Sequence, residues 1–529
     1  MTRRPTLTHE LRLGSGRAIR SGSTAAYVGL AEVEGEPHVV RTDLVGDHGV
    51  APERGRAIVA LAHLTDLHVT DVQAPARFEY INHEYADPRF RELLPMQRPQ
   101  EAFNVHAIAA MVRTVNAIDA GPITGRALDL AVMSGDAVDN VQWNELVAFL
   151  ALFDGGEVRI DSGGPRYEGV QAPGWPDEFF WKPDGSARGE DMFTREFGFP
   201  RAPGILERAL SPFTSEGLKL PWIGCHGNHE EVCQGVGLVT SRLASAMVGF
   251  HKPYQMPDHI DRDDVLETFV RTPEDFMDGP TLPVTPSPDR RPFSAGEFID
   301  LQGRHVPASS GGDPPRAHYT HDVEGVRFIV LDTVCTGGGA NGCVDADEAV
   351  WLQERLEEVH SRFRAADGTV VETANGDRLV VIVSHHTLST LDNKRGEKRA
   401  RYLAPEEAIG IAHRFQNVIL WLNGHVHHNI VQAHAAPGGT GGFWEVTTSS
   451  LVDWPCQSRL VEVYDAGAGR LGIACTLVDH DSPAGPGDPP DLASFHRELA
   501  ANVPLQGLES GRAGRPEDRN VILLVPKPF

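Results

Sequence analysis

No apolar run in this 529-residue chain is long enough to cross a bilayer. Stretches such as residues 58–64 and 418–422 are strand-length, far below the roughly 20 residues a spanning helix needs, so no membrane partner is expected. No apolar h-region follows the paired Arg3 and Arg4, and residues 5–24 are mostly polar with scattered glycine. Neither a secretory nor a twin-arginine leader is read, and a cytoplasmic location is expected. Positive charge is scarce: 48 Lys and Arg stand against 73 Asp and Glu, a formal net charge of -25. Such a surface repels polyanions, so no nucleic-acid backbone binding is expected. A phosphate substrate is not excluded, because two divalent cations in a cleft would dominate the local field. Cysteine is also sparse, and none of the six forms a CxxC pair, which argues against a zinc–thiolate knuckle. Cys225/Cys233 and Cys335/Cys343 each flank a short loop. Buried thiols are the favoured reading for a cytosolic chain, with disulfides the alternative.

What is present is ordinary globular composition, 41% hydrophobic and 23% charged. The length allows one large elaborated domain or two to three smaller ones. Apolar runs of the kind that make buried strands recur at residues 57–64, 128–133, 218–223, 326–331, 379–383 and 418–422. Helical spacing marks 101–120, 140–153 and 345–366. Residues 25–33 and 37–42 read as short edge strands, as a hairpin ahead of the core. Strand-like segments at 429–435, 442–448 and 459–464 turn the end of the core to β structure. The Gly/Pro- and aromatic-rich stretch 154–215 and the Pro- and charge-dense stretch 234–313 read as long insertions, which commonly border a site. The expected organisation is an N-terminal extension at 1–55, a core domain at 56–480 carrying both insertions, and a Pro/Gly-rich tail at 481–529.

Five of the apolar runs end at short polar segments: Asp66-Leu67-His68, Gly135-Asp136, Gly227-Asn228-His229, His385-His386 and Gly424-His425-Val426-His427. Together they supply carboxylate, imidazole and amide. That set suits two cations sharing one carboxylate, an arrangement that neutralises a phosphate ester and activates water between ions about 3.5–4 Å apart. Asp66 and His68 can turn to one ion. Asp136, alone after its strand, is the natural bridge, and Asn228 offers a neutral oxygen. His385, His425 and His427 bring imidazoles, which favour Mn, Fe or Zn over Ca. His229, beside Asn228, can face a leaving group as acid or charge stabiliser. Any one of these segments has a duller reading as a helix cap or turn; five in series at strand ends do not share one.

The order DxH, GDxxDN, GNHE, HH and GHxHH resembles the calcineurin-like metallophosphoesterase superfamily over most of the chain, from about residue 58 to 463. The resemblance implies an α/β (α+β) fold, a four-layer αββα double β-sandwich with its site at the strand ends. It implies two divalent or trivalent metal ions, Asp66, His68, Asp136 and His427 on one and Asp136, Asn228, His385 and His425 on the other. His229 would be the catalytic imidazole, and Asp139 the carboxylate that orients it. The chain is expected to hydrolyse a small-molecule phosphoester, with hydroxide between the metals as nucleophile. Asn140 stands where protein phosphatases of the superfamily carry a phosphate-gripping arginine, which leans toward phosphodiesters; a phosphomonoesterase is the alternative. A catalytically inactive scaffold that binds a partner is the alternative of another class. The pattern, including Thr448–Pro455 late in the chain, resembles an uncharacterised bacterial branch of the superfamily. No tyrosine stands where purple acid phosphatases place theirs, and no HxHxDH cluster marks an amidase or lactamase. Asn140 and Asp453 are candidate substrate contacts. His386 is the competitor of His385. Glu230 and Glu231 read as supporting acceptors, and the aromatics 175–181 as a lid or a satellite core.

Overall fold

The apolar runs become parallel strands in two large sheets of a mixed α/β fold. A seven-stranded sheet has the order Val39–Arg41, Val521–Pro526, Arg470–Asp479, Gln457–Gly467, Ala57–Leu64, Leu130–Met133, Trp222–Gly224. Its last three strands are parallel, with Leu61 opposite Leu130 and Val132 opposite Ile223. A six-stranded sheet has the order Tyr319–Val323, Val326–Val330, Leu379–Val383, Val418–Asn423, Gly442–Thr447, Ile430–Ala435. Its four inner strands are parallel and its two edges antiparallel. The computed structural model describes residues 6–46, 52–302, 317–396, 401–439 and 441–529. Arg3, Arg4 and the end of the second insertion at 303–313 lie outside the described residues.

Side chains alternate across a strand, so strands covered on both faces read as continuous apolar runs. Leu61, Val132 and Ile223 from the first sheet join Phe328, Val381 and Leu420 of the second in one apolar cluster. On the other face of the first sheet, Ala62, Ala131 and Met133 join Ile108 and Met111 of the helix Asn104–Asn116 and Phe149 of the helix Trp143–Asp154. On the other face of the second, Ile329, Ile382 and Trp421 join Leu352 and Leu356 of the helix Ala346–Glu357 and Ile411 of the helix Pro405–His413. Trp421 is fully buried, and its indole N–H donates to Ser384 Oγ at 2.8 Å. Trp421→Ala should therefore cost about 3–5 kcal/mol of stability, read by chemical denaturation.

Several expected elements differ from those observed. The helix read at 345–366 stops at Glu357, and Arg362–Arg364 then pairs antiparallel with Val370–Glu372. The Asp367-Gly368 turn, with Gly368 at φ 86°, closes that hairpin and overrides the helical spacing. The helix read at 101–120 is a 3-10 turn, Glu101–Phe103, leading into Asn104–Asn116. The N-terminal hairpin pairs Leu11–Ser21 with Ala26–Glu34, whereas Val39–Arg41 runs parallel to Val521–Pro526 at a sheet edge. Residues 481–529, read as a Pro/Gly-rich tail, hold core elements: Val521–Pro526 is an inner strand of the large sheet, and the helix Leu492–Asn502 is buried along most of its length. Within the first insertion, Val170, Trp175 and Phe180 form a small cluster of their own while Trp181 enters the main core, which favours the satellite-core reading. All six cysteines are buried free thiols. Among the described residues no helix is long and apolar enough to cross a membrane.

Candidate metal centre

The carboxyl ends of the parallel strands of both sheets converge, and the polar segments meet there. Five of the converging residues sit in the left-handed backbone region: Asp66 at φ 50°, His68 at 48°, Asp136 at 54°, His425 at 67° and His427 at 57°. Non-glycine residues rarely adopt it, and such strain persists where the surroundings fix it, commonly at functional sites. Close packing demands glycine alongside. A Cβ on Gly135, itself at φ 93°, would lie 2.5 Å from His385 Nδ1.

Potential ligand atoms within 4.8 Å of one another form overlapping groups: Asp66, His68 and His427; His68, Asp136 and His229; Asp66, Asp136 and His385; His385, His386 and His425. Asp136 joins the groups: its Oδ2 is 3.1 Å from His385 Nε2 and 3.7 Å from His68 Nε2. Asn228 Nδ2 donates to Gly235 O, which turns Oδ1 toward His385 Nε2 at 2.9 Å.

The rings are oriented through their Nδ1 atoms. His385 Nδ1 is 2.8 Å from Ser134 O, His68 Nδ1 3.2 Å from Asp139 Oδ1, and His427 Nδ1 2.7 Å from Asp453 Oδ2. A carbonyl or carboxylate oxygen only accepts, so each Nδ1 carries the proton and each Nε2 faces the centre. His68 Nε2 and His427 Nε2 stand 3.2 Å apart. Two neutral rings so tautomerised have no proton to share there, so an extra proton or a cation must lie between them. Burial lowers the His68 pKa to about 4. Burial also opposes charge on His427, but Asp66 and Asp453 outweigh it and raise its pKa. His385 behaves similarly: burial works against its cation, yet Asp136 raises it to about 9, so a cation binding at Nε2 displaces a proton. Asp136 itself, despite burial, is held far below the usual carboxylate range by His385 and His229. The centre thus offers ionised oxygen and imidazole nitrogen, a donor set that fits Mn, Fe or Zn.

His386 bonds through both ring nitrogens, Nδ1 to Thr333 Oγ1 at 2.8 Å and Nε2 to Ala340 O at 3.0 Å. His385 keeps Nε2 for the centre and is the better donor. His229 Nδ1 donates to the carbonyl oxygen of Asp139, leaving Nε2 to a cavity of about 190 Å³.

No family model matches the chain. It is similar over 81% of its length to the whole of a dimetal phosphatase from Danio rerio, at 10% identity and a TM-score of 0.33, too low to establish a shared fold. A quarter of the chain, 143 residues, is 29% identical to a WD repeat domain phosphoinositide-interacting protein 1 from Xenopus laevis. The chain spans about a third of that protein's length, 33%. Propeller blades are four-stranded sheets, whereas both large sheets here are longer and hold several parallel pairs.

Three expected roles are corrected by the surroundings. The Asp139 carboxylate orients His68 rather than His229, whose Nδ1 is 3.9 Å from it and is held by the Asp139 backbone instead. Burial opposes the charge on Asp139, but Arg77 and the bond from His68 keep its carboxyl far below its ordinary pKa. Asn140 is fully buried, its amide consumed by Ala76 O and the Gln234 N–H, so it has nothing to offer a substrate. Asp453 is buried too and holds His427, Arg98 and Arg512, so it works behind the centre. Glu230 accepts the N–H groups of Asp136, Gly227 and Val138, tying two ligand loops together. The sequence reading missed Arg77, Arg98 and Glu101, which back Asp139 and Asp453. Arg77 and Glu79, charged residues set among Ala74, Ala76, Phe78, Tyr80 and Ile81, were the available signal for Arg77.

Proposed function

We propose that this chain is a dinuclear metal-dependent phosphoesterase acting on a small phosphoester, with diesters ahead of monoesters. The observation that carries it is the pair of imidazole Nε2 atoms 3.2 Å apart, both turned inward by Nδ1 acceptors beside two ionised carboxylates. Two cations held by Asp66, His68, Asp136 and His427 and by Asp136, Asn228, His385 and His425 would neutralise the phosphoryl oxygens and make a water nucleophilic at neutral pH. Asp139 and Asp453 fix ring orientation. His229, when protonated on both ring nitrogens, keeps Nδ1–H on the Asp139 carbonyl and would give its Nε2 proton to the leaving oxygen, becoming the neutral imidazole. The two sheets sharing one apolar cluster, with helices on both outer faces, support a four-layer αββα sandwich as the frame. The Asn140 position brings no cation, which favours a singly charged diester over a monoester.

The test is hydrolysis of bis-p-nitrophenyl phosphate beside p-nitrophenyl phosphate by protein stripped of metal and resupplied with Mn²⁺. Faster diester turnover that vanishes on stripping is the expected result. Turnover of the monoester alone would make the chain a phosphatase. No turnover by protein holding two metals per chain would overturn the enzyme reading and favour a partner-binding scaffold.

A further inference from the structure

Arg512 stands far from every ligand motif in sequence, yet it lines the same cavity as His68, Asp136, Asn228, His229 and His425. We infer that Arg512 binds the phosphoryl oxygens of the substrate, an inference that deepens the phosphoesterase reading and rests on it. Two lining residues are arginines, Arg98 and Arg512. Arg98 is the more buried, 7% exposed, with Nε on Asp453 Oδ1 and Nη1 on Glu101. Arg512 is 14% exposed and meets Asp453 through Nη1. A guanidinium carries five N–H donors in a planar fork, so that pairing leaves donors to grip an oxyanion. Asp453 is itself pinned by His427 Nδ1 and Arg98, so it aims the Arg512 fork from a fixed point. The neighbouring backbone does not depend on the side chain, because Arg512 O accepts the Asn429 N–H at 2.9 Å. Glu92 also lines the cavity, a like charge that repels anions lacking a matching cation. Arg512 thus supplies, from the C-terminal segment, one cation beside the centre, which matches the single negative charge of a phosphodiester.

The experiment compares wild type, Arg512→Gln and Arg512→Lys, all Mn²⁺-loaded with metal content measured. It reads kcat and KM on bis-p-nitrophenyl phosphate, and inorganic phosphate binding by calorimetry. Arg512→Gln should raise KM and the phosphate dissociation constant by roughly 10–100-fold at unchanged metal content, with kcat changed far less. Arg512→Lys should recover part of the loss, since charge remains and the fork does not. Added guanidinium should partly rescue Arg512→Gln. Unchanged KM and phosphate binding in Arg512→Gln would overturn the inference while leaving the phosphoesterase reading intact. So would a loss of kcat and metal with KM unmoved, the mark of a purely structural arginine. Wild type that binds phosphate through Arg512 but cleaves no ester would sink the phosphoesterase reading and keep the anion site; wild type that binds no phosphate would sink the inference.

Discussion

Asp136→Asn should empty the centre and abolish turnover without unfolding the chain. Asp136 Oδ1 accepts the backbone N–H of His229 at 3.0 Å, and an asparagine carbonyl can keep that bond. What disappears is a charge within reach of both ligand groups. Removing a residue that merely supports a metal ligand costs 10–100-fold in affinity. Taking about 10²-fold as a floor for each ion gives roughly 10⁴-fold for the pair, with activity falling in step. The metal-free proteins provide the control on folding. Asp66 and Asp136 are both buried, and each raises the cost of ionising the other. Neutralising Asp136 relieves that repulsion but also removes its pairing with His385 and His229, so metal-free Asp136→Asn should melt somewhat below metal-free wild type while still unfolding in one cooperative transition. Mn²⁺ should then raise the melting temperature of wild type alone, because only a ligand that binds the native state stabilises it. A variant that melts well below wild type without metal would mean the activity loss came from misfolding.

The ligand segments were legible because each ends a run of apolar residues. A strand buried on both faces needs apolar side chains at every position, so Val418–Asn423 and Leu379–Val383 stand out, and the polar residues after them mark where the sheet stops. The expectation that Asp136 bridges followed from its standing alone after its strand. What stayed hidden is set by contacts between residues distant in sequence. Asp139 was matched to His229 through the family resemblance, which carries no distances, and the fold brings its carboxylate to His68 Nδ1 instead. Asp453 reads as a polar residue after a strand, and nothing local says that it meets Arg98, 355 positions away. The C-terminal segment misled because glycine and proline crowd both sides of the buried helix Leu492–Asn502, at 485–490 and 504–516, and drew attention from it and from the five apolar residues that begin at Val521. Those five form an inner strand, and the segment before them carries Arg512 to the cavity.

His229→Ala should leave both ions bound and slow catalysis in proportion to how badly the leaving group needs a proton. The ring contributes its Nδ1 proton to the Asp139 carbonyl and presents Nε2 to the cavity, a geometry that suits proton donation better than a fifth ligand on an already furnished ion. General-acid catalysis contributes roughly 10²–10⁴-fold, and that full range applies to an alkoxide leaving group. p-Nitrophenolate departs without protonation, so on bis-p-nitrophenyl phosphate the loss should be much smaller. Comparing methyl and p-nitrophenyl esters of one phosphodiester isolates the role: a steep leaving-group dependence should appear in His229→Ala and be muted in wild type. Equal losses on both esters would reassign His229 to stabilising phosphoryl charge, and loss of metal from the variant would make it a ligand. The backbone argues against the last outcome. The His229 N–H is fixed on Asp136 and its ring stands edge-on to His68, with centroids 4.5 Å apart, so the imidazole is held beside the candidate centre by two contacts that do not use Nε2.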